Sequence, residues 1–163
     1  MSESSPCPLP RTNPLKRLFC RSMSPEPGDS GCYALTGESG ETLVVTLERA
    51  PELARPGGAL RLEGEGLPDR LLIVHGLDGS YHAYRNHCAC GGFRVDPVPQ
   101  EEKIRCCTLM QSTYGYDGKR LSGSAEKDLD VLRVEALEGA LRIDLSGVRD
   151  TPPAHARKKE PQK

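Results

Sequence analysis

The chain has 163 residues, room for one ordinary domain with tails. Only 36% of it is apolar, and 17 glycines and 14 prolines point to a turn-rich β domain rather than a helical bundle. A formal net charge of −1 gives no basis for binding nucleic acid, and no apolar run approaches the roughly 18 residues of a membrane span.

Residues 1 to about 40 are rich in Ser, Pro and Gly and show no sustained helical or strand period, so they read as a disordered tail. The basic and apolar piece Pro14 to Phe19 reads as part of that solvated tail. Leu18-Phe19-Cys20, bracketed by Arg17 and Arg21, is too short for a secretory core, which makes the cytoplasm the expected compartment. Cys7, Cys20 and Cys32 have no second donor within a few residues and read as thiols outside any ligand set. The seven cysteines are an odd number, which fits poorly with a closed disulfide framework. In a reducing compartment, clustered cysteines point to metal or redox chemistry.

Order is predicted to begin near Thr42, with a domain over 42–146 and a polar tail over 147–163. Leu43 to Leu47 is a β-branched strand signal, and Ala59 to Glu63 alternates as a half-buried strand does. Leu71 to Val74 is apolar throughout and reads as a central strand. The Asp78-Gly79 pair then turns the chain into Tyr81 to Arg85. His75 and His82 read as ordinary edge or surface residues. Phe93 to Val95 and Ile104-Arg105 read as short arms, with Pro97 and Pro99 between them interrupting any pairing. A second Asp-Gly turn follows Tyr114, and Val131 to Glu135 with Ala140 to Leu145 form a last hairpin around Glu138-Gly139. Eight to ten short strands and no helix predict an all-β sandwich or barrel.

The chemistry concentrates in two stretches. Asn86 to Gly92 reads N-H-C-A-C-G-G, fifteen residues run from Gly91 to Arg105, and Cys106 to Tyr114 reads C-C-T-L-M-Q-S-T-Y. Two thiol pairs on neighbouring loop tips are what a thiophilic metal centre requires, because soft donors must converge within a few ångströms. His87 adjoins Cys88, and adjacent side chains of extended backbone face opposite ways, which counts against it as a ligand. Met110 is a weak donor for ferric iron and reads as packing. No nucleotide motif, nucleophile elbow or carboxylate pair is present, so an electron carrier or accessory subunit is expected rather than an independent catalyst.

From about Leu43 to Leu145 the chain resembles the Rieske-type iron–sulfur domain. The resemblance rests on Gly57-Gly58-Ala59, the Asp78-Gly79 hairpin, Asn86, C-x-C-x-G at Cys88, Cys90 and Gly92, Ser112-Thr113-Tyr114, and Gly123-Ser124-Ala125 leading to Leu129. It implies short antiparallel strands in small sheets, with a two-loop subdomain holding a [2Fe–2S] cluster. The family's ligands are C-x-H and C-x-x-H, and here neither histidine is present. Cys90 stands at the first His position. Starting the second motif at Cys106 puts Leu109 at the other, and starting at Cys107 puts Met110 there. The second register aligns Ser112 and Tyr114 with the residues that the family uses to hydrogen-bond cluster sulfur, and is preferred for that match.

The resemblance thus implies metal ligands drawn from Cys88, Cys90, Cys106 and Cys107. Ser112, Tyr114, Gly91 and Gly92 would lie against the cofactor, the glycines by close backbone approach. A cluster held by thiolates alone would carry about two more negative charges and sit near the potential of plant-type ferredoxins, roughly −400 mV. Such a protein would act as a ferredoxin component or redox subunit for an oxygenase or reductase. Two alternatives stay open: a zinc ion on the same thiolates, and a cluster-free structural or regulatory subunit similar to the small subunit of assimilatory nitrite reductase. A Cys90–Cys106 or Cys90–Cys107 disulfide would mark an empty site.

Overall fold

The computed structural model describes residues 30–64, 66–108 and 111–149. Twelve short strands occur among them: β1 (Tyr33–Thr36), β2 (Thr42–Thr46), β3 (Ala59–Leu62), β4 (Leu71–His75), β5 (Tyr81–Arg85), β6 (Val95–Val98), β7 (Lys103–Cys106), β8 (Thr113–Gly115), β9 (Arg120–Ser122), β10 (Val131–Leu132), β11 (Val134–Leu137) and β12 (Ala140–Asp144). A single helical turn, α1 (Ser146–Arg149), follows.

The strands form three four-stranded sheets, β1-β2-β12-β11, β10-β5-β4-β3 and β6-β7-β8-β9. Every pairing in them is antiparallel. This all-β arrangement of small sheets with a two-loop subdomain is the architecture that the resemblance implies.

The second sheet is the middle layer, and its alternation explains why. Leu71 and Ile73 of β4, with Leu60 and Leu62 of β3, pack against Leu43, Val45, Leu141 and Ile143 of the first sheet. Leu72 and Val74 point the other way, with Ala59 and Tyr84, onto Val95, Ile104 and Tyr114 of the third sheet. All five residues of β4 are therefore buried, and the apolar run at 71–74 is a strand walled on both faces. Each such leucine or isoleucine contributes about 1.5–3 kcal/mol by leaving water.

The differences from expectation have local causes. Order starts before Thr42: β1 pairs with β2 along its whole length, and Tyr33 and Leu35 pack on the core beside buried Cys32. The C-terminal turn is likewise anchored, by buried Val148. Pro97 lies inside β6 opposite Ile104 rather than interrupting the ladder. β6 is the edge of its sheet, where a missing N–H deprives no neighbour of a hydrogen bond. His75 is buried, with Nδ1 2.8 Å from the Leu53 carbonyl and its ring stacked on Tyr81. Pro14 to Phe19, Cys7, Cys20 and Met110 lie outside the described residues.

Candidate metal centre

Three chain segments meet where the third sheet abuts the middle one. The first loop, residues 86–94, carries the chain from β5 of the middle sheet to β6 of the third. The second loop, residues 107–112, joins β7 to β8. The third segment, residues 123–129, runs from β9 back towards β10.

The first loop is folded on itself by backbone bonds. The amides of Gly91 and Gly92 donate to the Cys88 carbonyl at 3.3 and 2.8 Å, and the Cys88 amide donates to the Phe93 carbonyl at 2.6 Å. Gly92 has a φ of 73°, the left-handed region that glycine enters at least cost. Asn86 is fully buried, and its Oδ1 accepts the Val95 amide at 2.8 Å, fixing the spacing across the loop. In the second loop the Cys106 amide donates to the Ser112 carbonyl at 2.8 Å, closing the hairpin, while the Cys107 amide donates to Arg94 of the first loop at 3.0 Å.

These folds bring three sulfurs together. The Sγ atoms of Cys88, Cys90 and Cys106 all lie within 4.8 Å of one another. Cys90 Sγ is 2.7 Å from Cys88 Sγ and 3.4 Å from Cys106 Sγ. Cys88 and Cys106 are each 1% exposed, so the solvent side of the trio is Cys90, which is partly buried. Cys107 is not in this group. It follows Cys106 at the end of a strand, where consecutive side chains face opposite ways, and it is disulfide-bonded.

The surroundings favour sulfur charge at one position. The Tyr114 hydroxyl is 3.1 Å from Cys88 Sγ, and burial together with Cys88 pushes its acidity down, so it stays protonated and donates. Hydrogen bonding from Cys106 lowers the Cys88 thiol below the ordinary range, even against its burial. The same contact, with burial, raises Cys106, and burial raises Cys90. Thr108 Oγ1 lies 3.4 Å from Cys106 Sγ.

Ser112 is fully buried, and its Oγ accepts the Ala125 amide at 2.9 Å. This ties the third segment over the second loop. Gly123, at φ 95°, allows the approach, since a Cβ there would stand 2.3 Å from Ser112 Cα. Ser112 therefore joins two segments of the site, whereas Tyr114 touches sulfur directly.

None of the histidines of the described residues is turned to the sulfurs. His87 contacts Asp69 through Nε2 and Arg70 through Nδ1, the latter at 3.0 Å. His82 lies against Ser80 and Tyr116. Asp69 also accepts from Arg85, and Arg70 donates to the Gly92 carbonyl at 2.6 Å. The pair Asp69-Arg70 carries no signal in the sequence. It lies ahead of β4, outside any cysteine motif, and no local pattern marks it.

As a donor set the trio fits a thiophilic metal: three soft sulfurs converge, with a phenol donating to one of them. Zinc or an iron–sulfur centre takes four protein or exogenous donors, and the described residues bring three sulfurs to one point.

No family model matches the sequence, and no curated protein matches it. Solved structures do. The chain is similar to Rieske-type domains. A quaternary ammonium Rieske monooxygenase, from work on carnitine oxidation by gut microbiota, aligns at 20% identity and TM-score 0.48 over 60% of this chain and 29% of that one. The plasma membrane Rieske protein PetC3 of Synechocystis PCC 6803 aligns at 21% identity and TM-score 0.44 over 52% of this chain and 85% of that one. A chain from the complex of reduced oxygenase and oxidized ferredoxin in carbazole 1,9a-dioxygenase aligns at 20% identity and TM-score 0.46, covering 55% and 82%. The chain thus spans less than a third of the monooxygenase's length.

Proposed function

We propose that this protein is a small Rieske-like electron carrier or redox subunit whose metal centre is held by thiolates and not by histidine. The observation that supports this reading is the convergence of Cys88, Cys90 and Cys106 from two hairpin ends, all within 4.8 Å. Cys88, Cys90 and Cys106 would hold the metal. Cys107 would become a fourth donor only with its disulfide reduced and the second loop turned. A bound [2Fe–2S] cluster supplies one-electron chemistry at low potential. The chain's own part is to fix the sulfurs, donate from Tyr114 to Cys88, approach closely at Gly91 and Gly92, and cover the site with Ser112 and the segment after Gly123. Among the described residues no carboxylate or histidine is turned to the three sulfurs. A protein redox partner, an oxygenase or a reductase, would take or deliver the electron.

One observation favours the second reading, a single zinc ion in a structural or regulatory subunit. Four sulfurs about 2.3 Å from one tetrahedral ion lie about 3.8 Å apart, and the trio, with Cys90 Sγ 2.7 and 3.4 Å from its neighbours, is compact enough to open around one ion. Anaerobic purification followed by metal and acid-labile sulfide analysis separates the two. Two irons with two sulfides per chain and a brown colour that bleaches on reduction support the cluster. One zinc and no colour supports the other, and metal-free protein rejects both. In either case Cys88→Ser is expected to abolish metal retention.

A further inference from the structure

We propose that Arg70 is the positioning residue of the first cysteine loop, a role that rests on the metal-centre reading above. Between Cys88 and Phe93 the loop holds Ala89, which is exposed, Cys90, which packs partly on the core, and Gly91 and Gly92, which have no side chain. What holds it from behind is Arg70. Its Nη2 donates to the Gly92 carbonyl at 2.6 Å and lies 3.0 Å from His87 Nδ1. Its own carbonyl accepts the Asn86 amide at 2.8 Å. One residue therefore grips the loop at Asn86, His87 and Gly92, on both sides of Cys88 and Cys90.

The grip is directional. A guanidinium has donors only, so His87 Nδ1 must be the acceptor and the ring proton sits on Nε2, facing Asp69. Asp69 is held in turn by Arg85 and by the Arg70 amide, the latter at 2.7 Å. The arginine also places a permanent positive charge behind a loop whose sulfurs gather negative charge when they bind metal. A residue that only stabilised the fold would change the melting temperature and leave the metal affinity of the folded protein alone. A positioning residue changes the affinity while the same sulfurs still ligate.

The test uses the reduced 163-residue chain and Co²⁺ alone as probe, because a sulfur-to-cobalt absorption band reports the ligands directly. Arg70→Met is expected to weaken Co²⁺ binding by about 10–100-fold, with the band per bound ion unchanged. Amide exchange at Gly91 and Gly92 is expected to quicken in the metal-free variant. Arg70→Lys keeps the charge but loses the planar fork, and should weaken binding by at least about threefold. Binding by Arg70→Met within about twofold of the parent overturns the assignment. Should Arg70→Met not fold, parent-like binding by Arg70→Lys overturns it instead. If the parent chain takes up no Co²⁺, the metal reading fails. Exchange at Gly91 and Gly92 in Arg70→Met then decides by itself whether Arg70 holds the loop.

Discussion

Cys88, Cys90 and Cys106 share one small space and do not titrate alike. Cys88 is lowered by its sulfur and phenol donors, whereas Cys90 and Cys106 are raised and keep their protons. A metal ion must displace those protons, so Zn²⁺ affinity is expected to fall as pH drops from about 8 to about 6. Calorimetry in buffers of different ionisation enthalpy measures the release, and a pH-independent affinity would contradict the assignment. Asp69 gives a second pH effect of known sign. Burial alone would raise its carboxyl, but hydrogen bonds from His87 and Arg85 outweigh this and hold it well below the usual range. Its contribution to stability is therefore full above the unfolded value of about 4 and is lost as pH falls below it. The difference in urea midpoint between the parent and Asp69→Asn should be widest near neutrality and shrink in acid. A difference constant with pH would disprove it. Of these residues, the cysteines and Tyr114 were legible in the sequence because a motif spacing marks them. Asp69, Arg70 and the orientation of His87 were not, because their roles come from contacts 16 to 22 residues apart.

At the scale of elements, the end of β7 decides which of two neighbouring cysteines faces Cys88 and Cys90. Downstream spacing favours Cys107, while the pairing of β7 with β6 turns Cys106 to the sulfurs opposite Val95. Metal content is expected to collapse in Cys106→Ser and to survive in Cys107→Ser. The reverse order by elemental analysis would mean that the loop turns over on binding. Gly123→Ala is a second test, since its Cβ would collide with the backbone of Ser112 at a left-handed φ. A loss of about 2 kcal/mol or more in denaturant unfolding is expected, and an unaffected variant would show that the third segment is not pressed on the second loop. Strands with a clear alternation or an Asp-Gly turn, such as β4, β5 and β12, could be read in advance, whereas the single arm expected over Val131 to Glu135 is split at Arg133 into β10 on β5 and β11 on β12. β1 and β9 could not: the first alternates over only four residues between glycines and the second is exposed along its whole length. Pro97 misled for a similar reason, because edge position is a property of the sheet and not of the residue.

For the whole molecule, the middle sheet is the wall on which everything else is hung, apolar on one side towards β2 and β12 and on the other towards the sulfur-bearing strands. That two-sided character was foreshadowed by the unbroken run at Leu71 to Val74, though a run alone does not say what covers each side. The excursion carrying the three sulfurs leaves this wall after Arg85 and comes back at Val131, which pairs with Tyr84. The Arg85 amide meets the Asp130 carbonyl at 3.0 Å, so departure and return share one doorway. The lobe's chain therefore enters and leaves at one place, and a lobe from another chain is expected to join the wall there without re-threading any strand of it. Such a graft has to keep apolar cover over Leu72, Val74 and Tyr84 and to return partners to Glu63 and Arg70, which here hold Arg94 and the Gly92 carbonyl.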